Sequence, residues 1–400
     1  MDFSKWTLDD YKSWLDICIN CGACIGRGPI CPHNNNSLPP DEWQSPDRKC
    51  PSLEYYHFTS HSAKGRLLNT GAVFRGDAEI SDDMINQMYS CSTCGVCNEI
   101  CKIYEPMNII LAMRQEIAEE GKALPEPLPE LLGNMKEKHN LFGLEERAKA
   151  LPELPAKGKD LYFSGCYTSY LLPKIACANA RILQAGGLDL CHFGEEERCC
   201  GEVANQAGDQ KLFKEMARHN VDSALEAGVE RVICSCAHCC KTWKEAYPKA
   251  LREELPFKVY HVTEVLAELI TEGKIKPERP VKKTVTFHDP CFLRSSANAA
   301  PRTVLAAIPK LEIKEMPRHG RWSYCCGTGG KIALNCYPDF AAAIGSERLT
   351  EAKETADEVV TACPVCFNQM RYVAEADSVE IKVEDVSVLL AQSLGIDTNH

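Results

Sequence analysis

Two stretches of the chain place two cysteines side by side and follow them with a glycine: RCCGE at 198–202 and YCCGTGG at 324–330. In an extended strand, neighbouring side chains point to opposite sides. In a tight turn they can instead converge, and two thiolates can then bind two irons of one iron–sulfur cluster. A glycine with positive φ in that turn lets backbone N–H groups approach a negatively charged cluster. We therefore expect positive φ at Gly201 and Gly327.

Each cysteine pair belongs to a set of five cysteines that occurs twice, with the spacing C-x32/33-CC-x35/36-C-x2-C. Equivalent cysteines of the two sets are 125 to 127 residues apart. One isolated pair could be two buried apolar thiols, but two pairs in register with the same partners favour metal ligation. The first set is Cys166, Cys199, Cys200, Cys236 and Cys239, and the second set is Cys291, Cys325, Cys326, Cys363 and Cys366.

Two further cysteine groups lie near the N-terminus. CSTCGVCNEIC at 91–101 has the C-x2-C-x2-C-x3-C spacing of bacterial ferredoxins, in which the fourth cysteine binds the neighbouring cluster. CINCGAC at 18–24 is a second C-x2-C-x2-C run. Its fourth cysteine is either Cys31 or Cys50, since both precede proline. Zinc also binds C-x2-C pairs, but three cysteines at this spacing favour an iron cubane.

The 24 cysteines among 400 residues decide the class of protein. Disulfide scaffolds are short secreted chains, whereas this chain is long and shows no signal-peptide pattern. Its apolar runs fall short of the roughly 20 residues of a membrane helix, and a net charge of −11 argues against a nucleic-acid partner. We therefore expect a cytoplasmic metalloprotein without a transmembrane segment of its own.

Strand and helix patterns alternate around the repeated cysteines. Short apolar runs precede the lone cysteine and the C-x2-C pair of each set, and helical patterns lie at 211–228 and 340–358. This alternation predicts small α/β units with mainly parallel sheets, whose sites lie on loops at the carboxyl ends of the strands.

Composition predicts a multidomain fold that combines α+β and α/β parts. Residues 121–159 are rich in Pro, Lys and Glu, and we interpret them as a linker that wraps rather than packs. The predicted segments are a mainly helical, ferredoxin-like domain for two [4Fe-4S] clusters at 1–120, the linker at 121–159, and two repeated α/β domains at 160–280 and 281–400.

The paired five-cysteine sets resemble the cysteine-rich CCG domains of the heterodisulfide reductase family over residues 160–400. This resemblance implies one noncubane [4Fe-4S] cluster on each set, beside two cubane [4Fe-4S] clusters. Related families follow the CP dipeptide with GR at a fixed distance, and Gly65 lies 15 residues after Cys50, which favours Cys50 over Cys31. The expected cubane ligands are Cys18, Cys21, Cys24 and Cys101 for one cluster, and Cys91, Cys94, Cys97 and Cys50 for the other.

The second set is the candidate catalytic site. The family often has histidine directly after the cysteine equivalent to Cys291, but Phe292 stands here, which weakens the transfer of substrate chemistry and not that of cluster binding. His288 and Asp289 could supply protons to an open cluster or cap the end of a strand. His238 is expected to hydrogen-bond its cluster rather than ligate it.

The whole layout resembles the D-type subunit of heterodisulfide reductases. It implies a subunit of an anaerobic, cytoplasmic oxidoreductase complex that passes electrons between flavoprotein or iron–sulfur partner subunits and a disulfide-like two-electron acceptor. The segment containing RGP and KCPS resembles D-type chains of tungsten-dependent benzoyl-CoA reductase complexes. The alternatives are an electron-transfer subunit of a quinone-linked glycolate or lactate oxidase and a zinc-stapled interaction module.

Overall fold

The N-terminal part of the chain is helical in the computed structural model, which describes residues 6–17, 22, 24, 50–101, 105–147, 151–294 and 299–398. Two of its helices begin at serine caps, because Ser62 Oγ accepts from Gly65 N and Ser81 Oγ accepts from Met84 N. The helices of this part are α1 (Lys12–Ile17), α2 (Pro51–Tyr56), α3 (Ala63–Phe74), α4 (Asp82–Tyr89), α5 (Val96–Ile100) and α6 (Pro106–Glu119).

Helix α6 forms the centre of this helical part. It begins with Pro106 at its first position, where the missing N–H costs nothing. Ile109, Ile110 and Met113 recur at helical spacing and are almost fully buried. The apolar face that they form lets α6 pack against α3 and α4.

The segment expected to be a linker contains a packed helix, α7 (Leu128–Lys138). Leu128 and Met135 are fully buried, and the carbonyl of His139 accepts a hydrogen bond from Cys199 N at 2.8 Å. The expectation that 121–159 would not pack is therefore wrong at these residues. The prolines hid the amphipathic pattern, in which Leu128 and Met135 lie two turns apart on one helix face.

The first repeat is a four-stranded parallel sheet in the order β2-β1-β3-β4. Its strands are β1 (Asp160–Phe163), β2 (Leu190–Cys191), β3 (Arg231–Cys234) and β4 (Lys258–His261). Its helices are α8 (Pro173–Ala185), α9 (Glu202–Ala207), α10 (Gln210–Glu226), α11 (Ala237–Lys241), α12 (Tyr247–Leu251) and α13 (Val262–Thr271).

The second repeat has the same topology, in the order β6-β5-β7-β8 and again parallel throughout. The strands are β5 (Lys283–His288), β6 (Leu311–Lys314), β7 (Glu358–Thr361) and β8 (Lys382–Asp385). The helices are α14 (Ala300–Ala306), α15 (Ile332–Cys336), α16 (Pro338–Thr355), α17 (Pro364–Ala376) and α18 (Val386–Leu394). The predicted duplication of an α/β unit with a parallel sheet is confirmed.

The two central strands of each sheet position the repeated cysteines. All four residues of β1 and of β7 are buried, as expected for parallel strands covered on both faces. The carboxyl ends of neighbouring parallel strands meet at one edge of the sheet. The loops that follow β1 and β3 therefore bring Cys166 and Cys236 together, and those after β5 and β7 do the same for Cys291 and Cys363.

A buried arginine joins the helical part to the first repeat. Arg114 donates to the carbonyl of Met88 at 2.8 Å and to that of Gln206 at 3.1 Å. Tyr89 Oη donates to the carbonyl of Ala207 at 2.7 Å. Because buried carbonyls need such partners, these bonds fix the helical part against the edge that carries the first set. In the described part of the chain, we find no helix both long and apolar enough to span a membrane.

Candidate iron–sulfur centres

The first cysteine pair lies in the turn that the sequence predicts. Gly201 has φ of 80° and stands directly before α9. A Cβ at this position would lie 2.9 Å from the ring of Phe213, so both the backbone conformation and the packing require glycine. The turn leaves Cys199 and Cys200 buried side by side.

The five thiols of the first set follow one another in space. Cys199 lies between Cys166 and Cys200, close enough to hydrogen-bond to both, and Cys239 in turn lies between Cys200 and Cys236. All five are buried. Hydrogen bonds from Cys199 and Cys239 hold the pKa of Cys200 well below its usual range. Hydrogen bonds within the set raise the pKa of Cys199 and of Cys239 well above their usual range, so the thiols titrate as one interacting group.

The second set repeats this order. Cys325 lies between Cys291 and Cys326, and the Sγ atoms of Cys326 and Cys366 are 3.3 Å apart. Cys366 in turn lies close enough to Cys363 to hydrogen-bond to it. Cys291 is half-buried, whereas the other four are buried. A hydrogen bond from Cys325 lowers the pKa of Cys291 to about 7.

Gly327 gives the second turn its shape. Its φ is 99°, and a Cβ there would lie 2.1 Å from the carbonyl oxygen of Ala341. The N–H of Gly327 donates to Cys325 Sγ at 3.3 Å. The positive φ expected at Gly201 and Gly327 is thus confirmed, and at the second turn a backbone N–H donates to a sulfur of the second set.

The two sets meet at one pair of sulfurs and one histidine. The Sγ atoms of Cys236 and Cys363 are 4.0 Å apart. His238 Nδ1 lies 3.9 Å from the first of these sulfurs and 3.7 Å from the second, and its ring is stacked obliquely on that of Phe292. His238 Nε2 is buried and has no hydrogen-bond partner among the described residues. This histidine therefore lies beside one sulfur of each set.

His288 faces the second set with a fixed tautomer. Its Nδ1 lies 2.9 Å from Arg348 Nε, and a guanidinium can only donate. The neutral ring consequently carries its hydrogen on Nε2. His288, Cys326 and Cys366 each place a potential ligand atom within 4.8 Å of the others. Burial lowers the pKa of His288, which suits a neutral N–H donor to sulfur better than an imidazolium that gives up a proton.

Both carboxylate oxygens of Asp289 accept hydrogen bonds from neighbouring protein groups. Its carboxylate accepts from both terminal nitrogens of Arg302 at 2.6 and 2.9 Å, and from Gly320 N at 2.7 Å. Burial opposes ionisation, but the bonds from Arg302 outweigh it and keep the pKa of Asp289 below its usual value. These contacts favour the strand-end role over proton supply for Asp289.

Four of the expected cubane cysteines lie together in the helical part. Burial raises the pKa of Cys97 well above its usual range, and the nearby thiols of Cys94, Cys91, Cys24 and Cys50 add to this effect. Cys50 directly precedes α2, and the guanidinium of Arg66 opposes the rise that burial causes in its pKa. Gly65 lies so close to Thr59 that a Cβ would be 2.1 Å from its carbonyl oxygen. The GR dipeptide thus shapes the surroundings of Cys50.

Of the remaining N-terminal cysteines, the structure describes Cys24 and Cys101. Cys24 is half-buried and packs against the buried residues Cys50, Leu53 and Cys97, although the sequence assigns it to the other cubane. Cys101 is half-buried and packs on the main core. Cys18, Cys21 and the alternative Cys31 lie outside the described residues.

Sequence reasoning missed the cations and acids around the sets. Lys331 is almost completely buried, as are Arg348 and Glu197. Glu197 Oε1 accepts from Arg147 Nη1 at 3.0 Å and from Gly165 N at 3.0 Å, directly before Cys166. Helical and strand patterns contain no signal for such long-range pairs. Only Lys331 had a local signal, since it directly follows the glycines of CCGTGG.

The donor atoms fit iron–sulfur clusters. Each set offers five sulfurs, four or five of them buried, with histidines beside them and a backbone N–H at one of them. Sulfur-rich donor sets of this kind bind soft metals and Fe–S clusters.

Comparisons with known families agree with this chemistry. The chain matches the 4Fe-4S dicluster domain over residues 14–103. It matches the cysteine-rich domain twice, over residues 161–242 and 285–371. The first stretch contains both N-terminal cysteine groups, and each of the other two contains one five-cysteine set.

Several curated proteins are similar over most of the chain. The D-type subunit of the dihydromethanophenazine:CoB–CoM heterodisulfide reductase of Methanosarcina barkeri is 32% identical over 400 residues, covering 96% of this chain and 95% of that protein. The B-type subunit of a fumarate reductase (CoM/CoB) of Methanothermobacter marburgensis is 28% identical, with 97% and 75% covered. An EtfAB:quinone oxidoreductase of Syntrophomonas wolfei is 26% identical, with 95% and 58% covered.

Among solved structures, a hypothetical protein from Helicobacter pylori is similar with a TM-score of 0.55. The match covers 84% of this chain and 68% of that chain at 9% identity, so it bears on the fold alone.

These matches define the class as iron–sulfur proteins that join a dicluster domain to two cysteine-rich domains. Within that class the chain belongs to the family of D-type heterodisulfide reductase subunits. It is an iron–sulfur electron-transfer subunit of that type.

Proposed function

We propose that the chain holds two cubane and two noncubane [4Fe-4S] clusters and delivers electron pairs to a disulfide-like acceptor. The observation that carries this proposal is the repeated order of five thiols, with the two sets in contact at Cys236 and Cys363. Two one-electron centres this close can supply the two electrons that cleavage of a disulfide needs. Each bound cluster contributes one-electron redox chemistry; the protein contributes position, burial and hydrogen bonds.

The cubane ligands Cys91, Cys94, Cys97 and Cys50 form the proposed entry to the second set. Cys94 and Cys325 belong to one buried group of side chains, and Cys291 packs against it. Arg294 joins the two regions, because it donates to the carbonyl of Cys94 at 2.5 Å and to that of Ser323 at 2.7 Å. Electrons therefore pass from the helical part to the second repeat through this packed contact.

The acceptor reaches the second set at Cys291. This is the one cysteine of the ten that is partly exposed among residues that the structure describes. It lines a cavity of about 320 Å³ together with Cys94, Phe292 and Lys241. Reduction of a disulfide takes up two electrons and two protons and releases two thiols. The second set, Cys291, Cys325, Cys326, Cys363 and Cys366, is thus the proposed catalytic centre.

The residues around this centre orient and hydrogen-bond it; they do not supply protons. His288 lies beside Cys326 and Cys366, and Arg348 fixes its ring by donating to Nδ1. His238 lies at the sulfurs of both sets. Hydrogen bonds to cluster sulfurs favour the reduced, more negative state.

The proposed setting is a cytoplasmic complex of an anaerobe, with a flavoprotein or further iron–sulfur subunit as electron donor. The segment with RGP and KCPS supports a narrower assignment to tungsten-dependent benzoyl-CoA reductase complexes, although most of it lies outside the described residues. Purification from anaerobic cells tests this assignment: a tungsten protein should co-purify, and a complex without tungsten would contradict it.

The proposed chemistry is tested with the anaerobically purified protein, reduced viologen and a small disulfide. We expect two viologen radicals to be oxidised per disulfide cleaved, and a loss of this activity in Cys291→Ser. Cys177→Ser is the matched control, since Cys177 is fully buried in α8 and belongs to neither set. An unchanged rate in Cys291→Ser would refute the assignment of the acceptor site.

A further inference from the structure

Lys331 is a buried cation placed at the junction of the two repeats. It belongs to the second repeat, where it directly precedes α15 and has φ of 79°. Only 1% of its surface is exposed. A charged ammonium is costly to bury without negative partners, so the groups around it are informative.

The side chain of Lys331 lies against the first repeat. Its Nζ is 5.7 Å from the ring centre of Tyr167, the residue that directly follows Cys166. The groups that act on it most strongly by electrostatics are the thiols of Cys166, Cys200 and Cys199. The ammonium therefore faces the first repeat, although its backbone belongs to the second repeat.

Two glycines allow this reach. A Cβ at Gly330 would lie 1.9 Å from Gln206 Oε1, and one at Gly329 would lie 3.2 Å from Cα of Ser92. Both residues have positive φ. The turn consequently presses against the first repeat and the helical part at once, and it directs the next side chain inward.

We propose that Lys331 is a positioning residue that acts across the repeats: its ammonium stabilises the negative charge that the first set gains on reduction. This inference rests on the proposed presence of a cluster on that set. A buried positive charge beside a redox centre favours the reduced state and raises its potential. The potential of the first set then depends on a residue of the second repeat. The potentials of the two centres therefore stay close to each other only while the two repeats are packed together.

The test measures midpoint potentials by electron paramagnetic resonance in two parent proteins. Cys326→Ala disables the second set and leaves the signal of the first, and Cys200→Ala does the reverse. Adding Lys331→Met should shift the first-set midpoint to lower potential in the Cys326→Ala parent. In the Cys200→Ala parent, the same substitution should shift the second-set midpoint by less than half as much. A shift confined to the second set would overturn the proposal.

Two further variants separate charge from packing. Lys331→Arg keeps the positive charge and should leave the first-set midpoint close to that of the parent; a shift as large as that of Lys331→Met would contradict a role of charge. Lys353→Met removes an exposed lysine of α16 and should change neither midpoint. A normal iron content with an unshifted first-set midpoint in Lys331→Met overturns this inference alone. Parent protein without iron on the five-cysteine sets overturns the proposed function instead.

Discussion

The Sγ atoms of Cys236 and Cys363 lie 4.0 Å apart, although 127 residues separate them in the chain. Each is the first cysteine of a C-x2-C pair, and each follows a buried central strand of its own sheet. The duplicated fold thus brings the two five-cysteine sets together as one continuous group of sulfurs.

Replacing Cys200 with alanine should remove one noncubane signal from the paramagnetic resonance spectrum and leave the ferredoxin-type signals. The reason is that Cys200 is the middle sulfur of the first set, with Cys199 and Cys239 on either side. Cys177→Ala serves as the control for loss of a buried thiol outside the sets. Unchanged spectra in Cys200→Ala would refute the grouping of the first five ligands.

Cys50→Ala and Cys31→Ala distinguish the two candidates for the fourth ligand of the first ferredoxin run. We expect only Cys50→Ala to lower the iron content, by about one cubane per chain. The structural reason is the position of Cys50 beside Cys91 and Cys97. The opposite result in the two variants would reassign the ligand to Cys31.

His238→Leu should lower the midpoint potentials of both noncubane centres. His238 Nδ1 lies within hydrogen-bonding reach of a sulfur from each set, and loss of a donor to sulfur disfavours the reduced state. The partly exposed His219 offers a control, since His219→Leu should leave both potentials unchanged. A shift in only one potential would show that the histidine serves a single set.

Asp385→Asn should make thermal stability less dependent on pH. Burial raises the pKa of Asp385 to about 7. From about pH 4 to 7 the folded state keeps this proton while the unfolded state releases it, so stability falls as pH rises and then levels off. Relative to wild type, the variant should gain on the order of 2 kcal/mol between about pH 5.5 and pH 8.

The measurement for Asp385 is the thermal midpoint of the anaerobic holoprotein at both pH values. The asparagine keeps an oxygen that can accept from Ser387 N, as Asp385 Oδ1 does at 2.8 Å. In Asp377→Asn, which changes an exposed residue at the end of α17, the difference from wild type should be equal at both values. A pH-independent difference for Asp385→Asn would mean that this carboxyl group is already ionised in the fold.

The sequence predicts what depends on local pattern and on duplication. The strands before Cys166 and Cys236, their copies, and the positive φ of Gly201 and Gly327 follow from spacing and residue type. The burial of Lys331 beside Tyr167 of the first repeat does not follow from them, because it depends on how the two repeats pack. The packing of α7 is not predicted from the sequence, because the prolines of this segment suggest an irregular linker although Leu128 and Met135 are buried on one helix face.

The histidines show the same division. The pattern CAHCC indicated that His238 would hydrogen-bond near its own set, but only the packing of the repeats brings it to Cys363. Likewise, the sequence placed His288 at a strand end, while the hydrogen bond from Arg348 that fixes its tautomer spans 60 residues.

The iron content of anaerobically prepared protein tests the central claim most directly. Two cubanes and two noncubane clusters require about 16 irons per chain, with about half of them lost when both Cys200 and Cys326 are replaced by alanine. This result would support clusters on both five-cysteine sets. Protein that carries about 8 irons, unchanged in the double variant, would contradict the account and leave a simple two-cubane relay.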